Sequence, residues 1–243
     1  MLVKNLVMNY SIATFCYGDR YYQQTNKFID SLNTVIEKPQ LFVVTDNVNA
    51  IKRESFVNVK DIREYNEKYF TYQKNYYDFD FSVKRFSLLF AFENGYNNVI
   101  LTDTDVVVNE NLFYYTNIMN SFVENSIAGQ TTYNFSNQVN TNSMLGRRFL
   151  YYEKKFNQFF DKNLLNEMVE DCVQYISIND EKKFNFIDIW NECISIKYTD
   201  QLMNIPAGNI DEMCFSACIN EINSINNSNK SINILIAEHE KWY

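Results

Sequence analysis

The sequence predicts an α/β fold, with a mainly parallel central sheet flanked by helices, and three observations predict it. Over the first hundred residues, short apolar runs alternate with longer segments of helical spacing. Each apolar run ends in turn-forming or acidic residues, as strands whose C-terminal ends line a ligand edge would. The strongest run is interrupted by two carboxylates, Asp103 and Asp105. A chain of 243 residues suits one large domain, or a main domain with a small appended lobe. We treat 1–243 as a single domain, with a donor-ligand-binding half over 1–110 and an acceptor-side half over 111–243.

The elements follow in order. Ser11 to Tyr17 is a buried strand ending at Gly18-Asp19, and the spacing from Tyr21 to Ile36 suits a helix closed by Lys38-Pro39. Leu41 to Asp46 is a second strand, and Phe56 to Val59 a weaker third. Phe81 to Asn94 is too long for one buried strand, and Gly95 stands where a helix C-cap is expected, so this segment is predicted helical. Val99 to Val108 is the strand that carries the two carboxylates. Beyond residue 110 the pattern weakens: Leu112 to Val123 and Phe149 to Tyr175 read as helical, and Phe184 to Tyr198 as strand-like, even a β-hairpin. Glu212 to Ile222 reads as a helix, Asn223 to Ser231 as a polar loop, and Ile232 to Ala237 as a last strand.

Composition narrows the function classes. With 22 basic against 30 acidic residues the net charge is -8, which argues against a broad cationic surface for nucleic acid. The N-terminus shows no signal-peptide pattern, and no apolar run approaches the roughly 18 residues of a membrane span, so a cytoplasmic protein is expected. Five scattered cysteines, Cys16, Cys172, Cys193, Cys214 and Cys218, beside one histidine fit buried thiols better than a zinc site.

Asp103-Thr104-Asp105 carries the chemistry because of where it falls. Two ionised carboxylates in an apolar run cost several kcal/mol each unless compensated, so they belong at an exposed strand end beside a cation or donors. In extended chain, residues two apart point the same way, which aims both at one spot. A hard divalent ion, Mn²⁺ or Mg²⁺, accepts such carboxylates together with phosphate oxygens, and it would neutralise a diphosphate leaving group. The blander alternative is one Asp in a turn and one in solvent. A second pair, Asp78 and Asp80, lacks a preceding apolar strand and is read as capping the helix at Phe81.

Ile12 to Tyr22 followed by Phe28 to Leu32, then Lys84-Arg85-Phe86 on a helix, then Val99 to Val108, resembles the retaining GT-A glycosyltransferases related to glycogenin and bacterial α-galactosyltransferases, glycosyltransferase family eight. The likeness is best over residues 10–115. It implies a GT-A sheet and transfer of a hexose from a nucleoside diphosphate sugar, a UDP-sugar by preference, to a hydroxyl of a glycan, lipid or protein, with retention. Under it, Thr14, Tyr17 and Asp19 line the nucleotide pocket, and Arg85 faces the diphosphate or sugar with Lys84 as the runner-up. Asp103 meets the ribose and the metal's shell, while Asp105 binds the metal directly. Asp211 or Glu212 takes the place of an acidic residue that contacts the transferred sugar, although the family usually has Gln where Glu212 stands. His239 corresponds to a late metal-binding histidine, with Lys241 toward phosphate, but the family's intervening Gly and following Pro are absent.

Each of these residues also has a structural reading: Lys84 and Arg85 as a solvated face, Asp211 as a helix cap, His239 as an ordinary histidine. The polar stretch Gln130 to Ser143 is open between a sugar-binding loop and a plain one. Three other functions compete. A haloacid-dehalogenase-type phosphatase would carry the motif on its first strand, a sugar nucleotidyltransferase would open with a Gly-rich loop that Cys16 to Asp19 is not, and a non-catalytic GT-A-like module would bind a glycan or nucleotide without turnover.

Overall fold

The computed structural model describes residues 10–34, 38–65, 81–104, 125–129, 132–134, 154, 157–158, 167–169, 173–198, 214–216, 218–219 and 233–236. In chain order its elements are β1 (Tyr10–Cys16), α1 (Asp19–Leu32), β2 (Gln40–Thr45), β3 (Val57–Asp61), α2 (Arg85–Glu93), β4 (Asn98–Thr102), β5 (Ser126–Gly129), β6 (Thr132–Asn134), β7 (Glu167–Val169), β8 (Val173–Ser177), α3 (Lys183–Tyr198) and β9 (Asn233–Ile236). Seven strands form one sheet in the order β3-β2-β1-β4-β8-β5-β9, and β6 pairs with β7 apart from it. β1 to β4 run parallel, β8 is antiparallel to both β4 and β5, and β9 is parallel to β5. All strands of the large sheet except β8 therefore end on the same edge. The expected α/β class with a mainly parallel sheet is observed.

Period-two alternation places helices on both faces. Leu41 and Val43 of β2 join Ile12, Phe28, Ile29 and Leu32 in the core beneath α1. Phe42 and Val44, one residue out of phase, join Leu88, Leu89 and Phe92 of α2 and Phe186, Trp190 and Ile194 of α3 on the other face. Fully burying a side chain of this size is worth about 1.5–3 kcal/mol, so both layers hold the sheet flat against their helices. α1 buries Tyr22, Thr25, Phe28, Ile29 and Leu32, a stripe at helical spacing. α2 is preceded by a 3-10 turn, Phe81–Lys84, and closed by a Schellman motif. There Gly95 at φ 86° donates its N–H to the Phe92 carbonyl (3.1 Å), and the Tyr96 N–H reaches the Ala91 carbonyl (3.2 Å).

Four expectations are corrected. β4 stops at Thr102, so Asp103 lies just past the strand rather than inside it. Phe184 to Tyr198 is helix, not strand or hairpin: the buried positions 186, 187, 190, 193 and 194 follow a 3.6-residue period that the many isoleucines masked. Within Phe149 to Tyr175, Lys154, Asn157 and Gln158 are helical, but Glu167–Val169 and the start of β8 are strand. β8 is buried at every position, which erases the alternation by which a strand is read. Thr132–Asn134, inside the stretch expected as a loop, forms β6. Residues 112–123 and 223–231, and the pair Asp78 and Asp80, lie outside the described residues. Cys16, Cys193, Cys214 and Cys218 are buried, and Cys172 lies outside the described residues. Among the described residues no helix is long and apolar enough to cross a membrane.

Candidate functional site

The chain reverses direction across the sheet between β1 and β4: β2 and β3 build outward on one side of β1, and β4 begins the other. Such a switch point opens a crevice at the strand C-termini, and ligands of open α/β sheets bind there. The Thr14 hydroxyl donates to the Thr102 carbonyl at 2.8 Å, joining the last turns of β1 and β4. Thr14 is fully buried, so among the residues expected at the nucleotide pocket it braces the crevice floor instead of opening into it. Tyr17 follows β1 and is half-buried, Gly18 takes φ 81°, and Asp19 is exposed in the first turn of α1. With ψ 160°, Gly18 takes an extended positive-φ conformation open essentially to glycine alone, and it bends the chain from strand to helix.

Beside these lies a pair that the sequence reading did not single out. The Tyr22 hydroxyl, on α1, donates to Asp46 Oδ1 at 2.5 Å just beyond β2. Burial first, and then the Asp46 hydrogen bond, push the Tyr22 hydroxyl well above the usual phenol range. Burial likewise raises the Cys16 thiol to about 11, against hydrogen bonds to Thr25 and Thr45 that lower it. An acidic residue directly after an apolar strand was the available signal for Asp46.

At β4 the charges gather. Lys84, the last residue of the 3-10 turn, reaches Asp103 with its Nζ 3.2 Å from Oδ1. The Lys84 side chain is 7% exposed and that of Asp103 34%, so a covered ammonium stands behind a carboxylate that still meets solvent. Arg85 is 1% exposed; its Nε donates to Asn191 Oδ1 on α3 at 2.7 Å, and its guanidinium carbon lies 4.1 Å from the Phe86 ring centroid. Of the two adjacent cations, Lys84 is the one in contact with Asp103, and neither forms the solvated face considered above. Asn191 escaped notice because its segment was read as a hairpin.

Two cations stand at the start of α2, whose first turn holds no acidic residue, and Asp103 offsets the Lys84 charge there.

Asp105, Asp211, Glu212, His239 and Lys241 lie outside the described residues. The helical positions Cys214–Ser216 follow Asp211 and Glu212 closely, and β9 ends at Ile236, on the same edge as β4, three residues before His239. For a divalent ion the described donor is Asp103: a hard oxygen ligand, partly solvent-facing, already beside one cation. That donor chemistry fits. Among the described residues no cluster of three metal-binding side chains occurs.

No protein-family model and no curated protein sequence matches the chain. Among solved structures it is similar to mouse xyloside xylosyltransferase 1 in its apo form, with TM-score 0.49 and 10% identity over 94% of this chain and 85% of that one. It is similar to the apo bifunctional glycosyltransferase WbbM, with TM-score 0.47 and 14% identity over 98% of this chain. The match spans 47% of that protein, less than half its length. The third is the galactosyltransferase LgtC in complex with donor and acceptor sugar analogues, with TM-score 0.47 and 8% identity over 92% of this chain and 72% of that one. Residue roles do not carry over at this level of likeness.

Proposed function

We propose that the protein is a metal-dependent glycosyltransferase of the GT-A type, which transfers a hexose from a nucleoside diphosphate sugar, a UDP-sugar by preference, to a hydroxyl of a glycan, lipid or protein, with retention. The observation that carries the reading is Asp103 at the switch-point end of β4, solvent-facing and backed by the buried Lys84 ammonium. Asp103 and Asp105, joined by His239, would hold Mn²⁺ or Mg²⁺. The ion supplies charge neutralisation on the diphosphate.

The chain's own residues do the rest. Tyr17 and Asp19, after β1, would flank the nucleotide, with Thr14 bracing the strand ends beneath it. Lys84 holds the Asp103 carboxylate in place and, with Arg85 and Lys241, raises the positive potential where negative charge develops on the leaving group. Asp211 or Glu212 would contact the transferred sugar; in an inverting enzyme the same residues are the candidate base.

The phosphatase alternative fits less well, since it needs the acidic motif on the first strand and β4 is the fourth. A panel of nucleotide-sugars, assayed for release of nucleoside diphosphate with Mn²⁺ and with EDTA, tests the proposal. Metal-dependent release from at least one donor is expected. Binding without release would favour a non-catalytic module, and phosphate release from phosphomonoesters a phosphatase.

A further inference from the structure

Asp46 follows β2 directly and stands on the edge where β1, β2 and β4 end. The parallel register pairs Cys16 with Thr45, so Asp46 is level with Tyr17, the residue after β1 at the proposed nucleotide site. Its Oδ1 accepts from the Tyr22 hydroxyl at 2.5 Å, and the Gly18 backbone, in the turn from β1 into α1, bonds the same hydroxyl. A hydroxyl that both accepts and donates is fixed in direction, and it fixes the carboxylate it meets. Among the described residues Tyr22 is the hydrogen-bond partner of the half-buried Asp46 side chain and no cation pairs with it, which leaves Oδ2 as an acceptor. An ionised carboxylate accepts and never donates, and it repels phosphate, so at this edge it takes an N–H or O–H of a ligand. The charges proposed to meet the diphosphate lie on the other side of β1: Asp103 and Lys84 stand beyond β4, two strand spacings or about 10 Å from the end of β2. A nucleoside diphosphate with its phosphates there extends its base toward β2.

We infer that Asp46, oriented by Tyr22, selects the base of the nucleotide donor by accepting the imide N3–H of uracil; this rests on the function proposed above. Cytosine carries a lone pair at N3 in place of that hydrogen, so it would set acceptor against acceptor, the arrangement by which a site rejects a near-isostere. Tyr22 touches no ligand and is a positioning residue: it donates to Asp46 and holds the carboxylate in its accepting orientation.

Calorimetric titration in the presence of Mn²⁺, with UDP, CDP and N3-methyl-UDP as probes and thermal melts alongside, tests it. The wild type should bind UDP at least about tenfold more tightly than either CDP or N3-methyl-UDP, through one charge-assisted hydrogen bond that both lack. That comparison needs no variant. Asp46→Asn can turn either its oxygen or its NH₂ toward the base, so its preference for UDP over CDP should fall to within about threefold. Tyr22→Phe should weaken UDP by about threefold to tenfold and leave CDP within about twofold of wild type. A merely structural tie between α1 and β2 would weaken both nucleotides alike. Wild-type binding of CDP or N3-methyl-UDP within about twofold of UDP overturns the inference, as does a full UDP preference in an Asp46→Asn variant that melts like the wild type. If the wild type binds no UDP, the proposed function falls and this inference with it. If the wild type binds UDP, Asp103→Asn loses it and Asp46→Asn keeps the full preference over CDP, only the role of Asp46 falls.

Discussion

The two ends of the large sheet are assembled in different ways. β3, β2, β1 and β4 come from residues 10–102, are all parallel, and are linked by α1, which packs on β1, and by α2, which packs on β1, β2 and β4. β8, β5 and β9 come from residues 126–236 and join distant segments, Asn98 with Ser177 and Ser126 with Asn233, through strands of four or five residues. The parallel end is a series of local strand-helix units in which hydrophobic period, caps and turns agree. The far end exists only through long-range pairing, and its stability rests on the layer that covers it. In that layer Trp190 of α3 packs against Phe215 at 4.8 Å, with Phe186 against both. The lesson is a division of labour: the local end presents the charged edge, and α3, which follows β8, supplies the backing that keeps Arg85 in place.

The largest expected effect tests that backing. Trp190→Ala should cost about 3–5 kcal/mol in urea denaturation, by emptying the aromatic cluster that ties α3 to residues 214–216. A loss below about 1 kcal/mol would mean the far end does not depend on α3. Next, Asp105→Asn should keep the wild-type melting temperature and lose at least about a hundredfold in metal-dependent turnover. Wild-type rates in that variant would remove Asp105 from the mechanism.

Legibility in the sequence divides along the same line. β1, α1, β2, β3, α2 and β9 fall within a few residues of their expected positions, and Gly95 makes the expected left-handed cap. α3 was misread because Ile187, Ile189 and Ile194 carry strand-like propensity, which tertiary burial at helical spacing overrides. β8 was misread because a strand covered on both faces has no alternation to show. At the site, the acidic interruption of an apolar run pointed to Asp103, and the adjacent cations to Lys84 and Arg85. Asn191 was not legible, and Asp46 was legible only as an acid ending a strand: its partner Tyr22 is brought in by the fold, as Arg85 is brought to Asn191.

Two smaller effects sharpen the account of the parallel end. Cys16 has a thiol raised to about 11 from an ordinary value of 9.0, so the folded state holds the proton more tightly than the unfolded chain. Its contribution is fully present below about pH 9 and is lost as pH rises through about 11, roughly 3 kcal/mol in all. Denaturation profiles should show that decline in the wild type and a shallower one in Cys16→Ala; parallel profiles would contradict the buried thiol. Smallest, Gly95→Ala should cost about 1–2 kcal/mol, because alanine must adopt φ 86° at the end of α2. A neutral result would mean that the cap relaxes.

The central claim is that carboxylates beyond β4 hold a cation against a nucleoside diphosphate. Electron paramagnetic resonance of free Mn²⁺, titrated into the protein with saturating UDP, measures it directly in the wild type and in Asp103→Asn. The account predicts one tightly bound ion in the wild type and at least about tenfold weaker binding in the variant. Equal affinity in the two proteins, or no bound manganese in either, would contradict it.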